Sequence, residues 1–128
     1  MFDIENYPEK HVILIRMSGA VSLDILREGL TKLSRAVATH RGAAIAMIAD
    51  MRDLFPLSPE AASLMGESIA SGRKNGVASC AHLTSSGIIR LQANRLSREA
   101  TPGQVGNFDV VSLEEAWRVT AEQLPRVA

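Results

Sequence analysis

Ala43-Ala44-Ile45-Ala46-Met47-Ile48-Ala49-Asp50 is a small-residue-rich apolar run, and Met51-Arg52-Asp53-Leu54-Phe55-Pro56-Leu57 and then Ser58-Pro59-Glu60 follow it. The run is too short for a globular helix and lacks polar alternation, which predicts a buried parallel strand against which helices pack closely. Met51 to Leu57 then reads as a turn. Ser58 is placed to cap a helix, with Pro59 at its first position, where a missing N–H does no harm. In an open α/β sheet the loops at the carboxyl ends of the strands form the working surface, so this junction is the first place to look for function.

Outward from it the same grammar repeats. Phe2 to Tyr7 alternates like an edge strand, Pro8-Glu9-Lys10 turns the chain, and His11 to Ile15 is continuously apolar, as a strand covered on both faces would be. Ser22 caps a helix carrying Leu26, Leu30, Leu33 and Val37 on one face, and His40-Arg41-Gly42 ends it. After Ser58, a stripe of Ala61, Leu64, Met65 and Ile69 runs to the stop between Gly72 and Gly76, and Val77 to Thr84 is a further strand. Ser85-Ser86-Gly87 opens a helix with Ile89, Ala93, Leu96 and Ala100 inward, stopped at Pro102-Gly103. Phe108 to Val111 is a short last strand. Ser112 and Glu115 form a capping box ahead of Leu113, Trp117, Ala121 and Leu124. Helical crossovers force parallel pairing, so the expected fold is α/β: an open, mostly parallel sheet of about five strands with an antiparallel first hairpin and about four helices.

The chain has 128 residues, enough for one domain over 1–128 with a core that needs no crosslink. Lysine plus arginine and aspartate plus glutamate both number 14, so the charge balance offers no footprint for nucleic acid. Cys80 is the single cysteine; it can form no internal disulfide, which fits a reducing cytoplasm. The N-terminal residues are acidic where a secretory signal is basic, and no apolar run has the length of a membrane span. Glycine-rich phosphate signatures are absent. Asp50 and Asp53 lack a third ligand at metal-like spacing, and strand-end and turn aspartates commonly cap local backbone. Cys80 and His82 share one face of a strand, but a reactive thiolate pair normally draws its members from separate elements. Arg90, Asn94 and Arg98 form a helical stripe that reads as a solvated face, with Arg95 beside it. No metal or cofactor is expected.

The element order, Asp50-Met51-Arg52-Asp53-Leu54 after the core strand, the proline-containing helix start and Phe108-Asp109-Val110-Val111-Ser112-Leu113-Glu114-Glu115-Ala116 together resemble the STAS superfamily. Its founding members are bacterial anti-sigma-factor antagonists. The likeness is closest to the STAS/SEC14-like branch, often labelled SpoIIAA-like, and covers nearly the whole chain. In the antagonists an Asp-Ser-Ser-Gly motif starts the helix after the core strand, and its second serine is phosphorylated to release a partner kinase. Anchored on Asp53-Leu54, that motif falls on Ser58, Pro59, Glu60 and Ala61, so a glutamate stands at the phosphoacceptor position and the glycine is missing. Glu60 would hold the surface in a permanently modified-like state, with Ser58 left as a candidate phosphorylation site. Thr84-Ser85-Ser86-Gly87 looks similar but follows the later strand and reads as an ordinary helix cap.

The resemblance implies a non-catalytic regulatory module that binds a protein partner at the loop and start of the second helix. The contact residues expected are Asp53, Leu54, Phe55, Leu57, Ser58, Glu60, Ala61, Leu64 and Met65. Leu54, Phe55 and Leu57 are unusually apolar for a connecting segment, so the loop either plugs the interior or offers a contact patch. The SEC14-like branch implies an alternative, a carrier or sensor of a small apolar, lipid-like ligand lying between the sheet and a helix with the loop as its lid. A tightly packed core would remove that alternative. A homodimer through the Phe2 to Tyr7 edge or an apolar helix face is a further expectation, although Asp3 and Glu5 are placed to protect that edge.

Overall fold

The computed structural model describes residues 1–100 and 106–127, the side chains of 124–127 excepted. Strand β1 (Phe2–Tyr7) turns through the 3-10 segment Pro8–Lys10 into β2 (Val12–Gly19), and the chain then alternates as α1 (Leu23–Ala38), β3 (Ile45–Leu54), α2 (Pro59–Lys74), β4 (Val77–Leu83), α3 (Gly87–Ala100), β5 (Asn107–Val110) and α4 (Leu113–Val127). The strands form a five-stranded sheet in the order β1-β2-β3-β4-β5. β1 and β2 pair antiparallel and the remaining pairs are parallel, as the crossovers require. Pro102-Gly103 and Leu124 lie outside the described residues or side chains.

β2 explains why the sheet is covered on both sides. Ile13, Ile15 and Met17 face the layer of α1, α2 and α3, while Val12 and Leu14 face the layer of α4. All five are buried. The caps behave as the sequence implies. The hydroxyls of Ser22, Ser58 and Ser112 accept from the amides of Ile25, Ala61 and Glu115 at 3.2, 3.1 and 3.0 Å. Glu115 reaches past the cap itself and accepts from the Val111 amide at 3.1 Å. Among the described side chains of α4 the buried positions are Ala116 and Thr120, and Ala121, expected inward, is exposed. Trp117 meets Tyr7 edge to face at 5.0 Å, extending the α4 layer toward β1.

The core strand departs from the expected boundaries. β3 begins at Ile45 and runs through Met51 to Leu54, so the expected turn over Met51–Leu54 is strand. Arg16 pairs with Asp50 but Ser18 pairs with Asp53, which leaves two β3 residues opposite Met17. That bulge turns Arg52 and Asp53 both outward and returns Leu54 to the core. Pairing of Gly19 with Leu54 and the Phe55 amide bond to the Gly19 carbonyl keep the strand going past the polar residues.

Where α4 does not reach, the outer face of β1–β3 is closed by charge. Arg16 pairs with Glu5 and lies 3.9 Å from Asp50, while Arg52 holds Asp50 at 2.8 Å. Burial pushes the Asp50 carboxyl up, but the Arg52 guanidinium and amide, helped by Arg16, outweigh it and hold the carboxyl below the usual range. Asp50 is therefore an internally neutralised structural anion.

Candidate functional site

The layer between the sheet and α1–α3 is not filled. At the centre of the inner sheet face stand Ala49 and Cys80, and the helical residues opposite include Ser68 and Gly72 on α2 and Ala93 and Ser97 on α3. Small residues on both walls cannot meet across the usual sheet-to-helix spacing, and the result is a cavity of about 600 Å³. Protein interiors have few voids larger than a water, and small-molecule sites span roughly 300–1,000 Å³, so this volume has the scale of a ligand site and not of a packing defect. The small-residue character of β3 was expected to bring helices close. Instead α2 stands off the sheet, with Ala61 its single buried residue and Leu64, Met65 and Ile69 only half-buried.

The cavity has a direction. On the β1–β2–α1 side its wall is apolar: Phe2, Ile15, Met17, Leu33 and Val37. On the β4–β5–α3 side it carries Arg73, Cys80, His82, Gln92, Ser97 and Asn107. Exposed Ser34 and Ala38 on α1 and Ser71, Lys74 and Asn75 at the end of α2 also line it, so it opens between the last turns of those helices. Gly76, at φ +114, forms the base of that opening; a side chain there would meet the Ala43 carbonyl oxygen at 2.8 Å. At the other end the Leu57 amide donates to Gln92 Oε1 at 3.1 Å, and Gln92 Nε2 donates to the Leu57 carbonyl at 3.2 Å. This pair of hydrogen bonds ties the β3–α2 loop to α3 at the cavity wall.

The polar wall has two notable groups. Arg73 reaches across from α2 to donate to the Ala78 carbonyl at 2.6 Å and to Asn107 Oδ1 at 2.9 Å. Burial lowers its pKa, partly offset by Cys80, and no carboxylate pairs with it among the described residues. His82 is only 5% exposed, and its Nδ1 is buried with no hydrogen-bond partner. Burial opposes protonation of that ring, but Cys80, Asp109 and Asn94 outweigh it and raise the pKa. Asp109 is exposed, holds the Asn94 amide at 3.1 Å and does not line the cavity.

The residues expected to form a partner surface divide between inside and outside. Leu54, 6% exposed, and Ala61, 0% exposed, are core residues and present no side chain to a partner, which corrects that part of the expected surface. The bulge rotates Leu54 inward, and the first turn of α2 buries Ala61. Leu54, Leu57 and Met65 line the cavity, so most of the apolar loop is plug. Phe55, 61% exposed, points out together with Asp53, Ser58 and Glu60. It does not line the cavity, so the loop aromatic is not its lid. Leu64 and Glu60 border a shallow depression between α1 and α2. Asp50 and Asp53 are separated by their different environments, and no group of three or more metal-ligating side chains occurs among the described residues. Asn94 of the presumed outer stripe turns to β5, while Arg90 and Arg98 are exposed. Ser86 accepts weakly from Ile89 at the start of α3, the capping role expected for that serine pair.

Sequence reading missed Arg73 and the cavity itself. The available signal was the recurrence of small residues at Ser68 and Gly72, and again at Ala93 and Ser97, each pair a helical turn apart on an inward face.

Among the described residues no helix is long and apolar enough to cross a membrane. No protein-family model and no curated protein matches the chain. The crystal structure of an uncharacterised DUF3478-family protein with a SpoIIAA-like fold, from Shewanella loihica, superposes with a TM-score of 0.68 over 92% of this chain and 90% of that one, at 16% identity. With its antiparallel first hairpin, parallel remainder and helices on both faces, the chain has a SpoIIAA-like α/β fold.

Proposed function

We propose that the protein is a non-catalytic binding module that holds one small, largely apolar molecule between its sheet and helices α1–α3. The observation that carries this reading is the cavity of about 600 Å³, apolar along one side and open to solvent between the ends of α1 and α2. An apolar ligand entering it would recover the dispersion contacts and water exclusion that the walls lack, with little backbone rearrangement. Catalysis is not part of the reading, because among the described residues no nucleophile there is paired with a base on a separate, convergent element.

Titration with the neutral apolar fluorophore N-phenyl-1-naphthylamine tests it. A saturable, one-to-one rise in fluorescence is expected, weakened by Ala93→Leu, which narrows the cavity. A signal that never saturates, or that the narrowing substitution leaves unchanged, would reject the cavity as the site.

A protein partner at the β3–α2 loop is the second reading, supported by the outward placement of Phe55 beside Ser58 and Glu60. An exposed aromatic ringed by polar groups is a common interface anchor. In this reading Glu60 and Ser58 orient the partner at the amides of the helix start, and the cavity state reaches the same loop through the bond between Leu57 and Gln92.

A further inference from the structure

Among the described residues, every ionisable side chain in the cavity lining that can carry charge at neutral pH is cationic or a histidine: Arg73, Lys74 and His82, with no aspartate or glutamate among them. For a chain whose acidic and basic residues balance, that exclusion is a local property of the site. Two of these groups have unused hydrogen-bonding capacity. Arg73 commits N–H groups to Ala78 and Asn107, and a guanidinium has five, so donors remain without any carboxylate to take them. His82 Nδ1 is a buried ring nitrogen without a partner, an arrangement that proteins rarely leave unexplained. Arg73 meets β4 at Ala78 and β5 at Asn107, the partner of Cys80, so its guanidinium lies beside Cys80, and His82 stands about 7 Å farther along the same strand face.

We infer that this wall binds the head group of a single-chain carboxylate whose apolar body lies against Phe2, Ile15, Met17, Leu33 and Val37. The inference rests on the carrier reading above and adds the chemical class of the ligand. At about 30 Å³ for each water-sized unit, the cavity accommodates a molecule of roughly 20 non-hydrogen atoms, which excludes a two-chain phospholipid. A singly charged, planar head suits the site. The guanidinium fork matches a carboxylate, and a more highly charged phosphate loses more hydration on entering a wall with one half-buried arginine.

Competition against the neutral fluorophore with decanoate, decanol and decyl phosphate on the unaltered protein tests this. Decanoate is expected to compete at least tenfold better than decanol. Arg73→Met is expected to erase that preference while decanol competes as before, and Arg73→Lys to restore part of it. Equal competition by decanoate and decanol would overturn the head-group assignment and leave the apolar-carrier reading intact. Stronger competition by decyl phosphate than by decanoate would overturn the choice of a carboxylate. Failure of all three, with the fluorophore itself not saturating, would overturn both readings.

Discussion

Filling the cavity from α3 gives opposite signs for an open and a packed interior. Ala93 is half-buried, lines the cavity and packs against the inner core cluster. Ala93→Leu adds three carbons, and at ~0.8 kcal/mol for each buried carbon their transfer from water is worth roughly 2.4 kcal/mol. Restricting the leucine rotamers returns about 0.5–1 kcal/mol, and alanine and leucine differ little in helix propensity. The ligand-free variant should therefore be more stable by about 1.5 kcal/mol, a rise in midpoint of roughly 5 °C for a domain of this size. In a close-packed interior the same change costs about 1–3 kcal/mol through overpacking. Urea unfolding of both proteins, each first stripped by denaturation and refolding, reads the difference as a shift in midpoint at constant slope. A destabilisation of 1 kcal/mol or more would refute the argument that small residues on facing walls leave real space there.

Other substitutions separate the remaining parts of the account. Gln92→Ala removes both bonds to Leu57 and should cost about 1–2 kcal/mol, with amide exchange at Leu57 accelerated; an unchanged exchange rate would show that the loop is held otherwise. Ser58→Ala removes the α2 cap and should cost about 1 kcal/mol, seen in thermal unfolding, and a neutral result would mean that water replaces the hydroxyl. The folded-state pKa of Asp50 is depressed, so its stabilising contribution is present above the unfolded value near 3.9 and lost as pH falls through the folded value. Asp50→Asn should accordingly destabilise the protein at neutral pH and reduce the loss of stability on acidification below about pH 4. A variant with the same acid profile as the parent would show that Asp50 is not the group titrating there.

Much of the fold was legible because its signals are local. The Ser22, Ser58 and Ser112 caps mark three helix starts, and the unbroken apolar run of β2 announces burial on both faces. The end of β3 was misread because a bulge breaks the alternation on which strand reading depends. Arg52 and Asp53 together look like a turn, and only pairing with Ser18 and Gly19 reveals the strand. The inner stripe of α4 was displaced for a simpler reason: Thr120 is buried with its hydroxyl donating to the Trp117 carbonyl at 3.0 Å, so a polar residue occupies an apolar position. The loop was half legible, since three apolar residues announce something unusual but not which of them turn inward. The cavity was illegible in kind. Alanine and glycine on facing elements are compatible with close approach or with a gap, and the backbone spacing that decides between them is a tertiary property.

The central claim is that the space between sheet and helices holds a small molecule. A native mass spectrum of the protein isolated gently from its own host, recorded beside that of Ala93→Leu, tests it most directly. The account predicts one stoichiometric small-molecule adduct on the parent chain and a reduced share of it on the variant. A bare parent chain, or an equal share of adduct on both proteins, would contradict it.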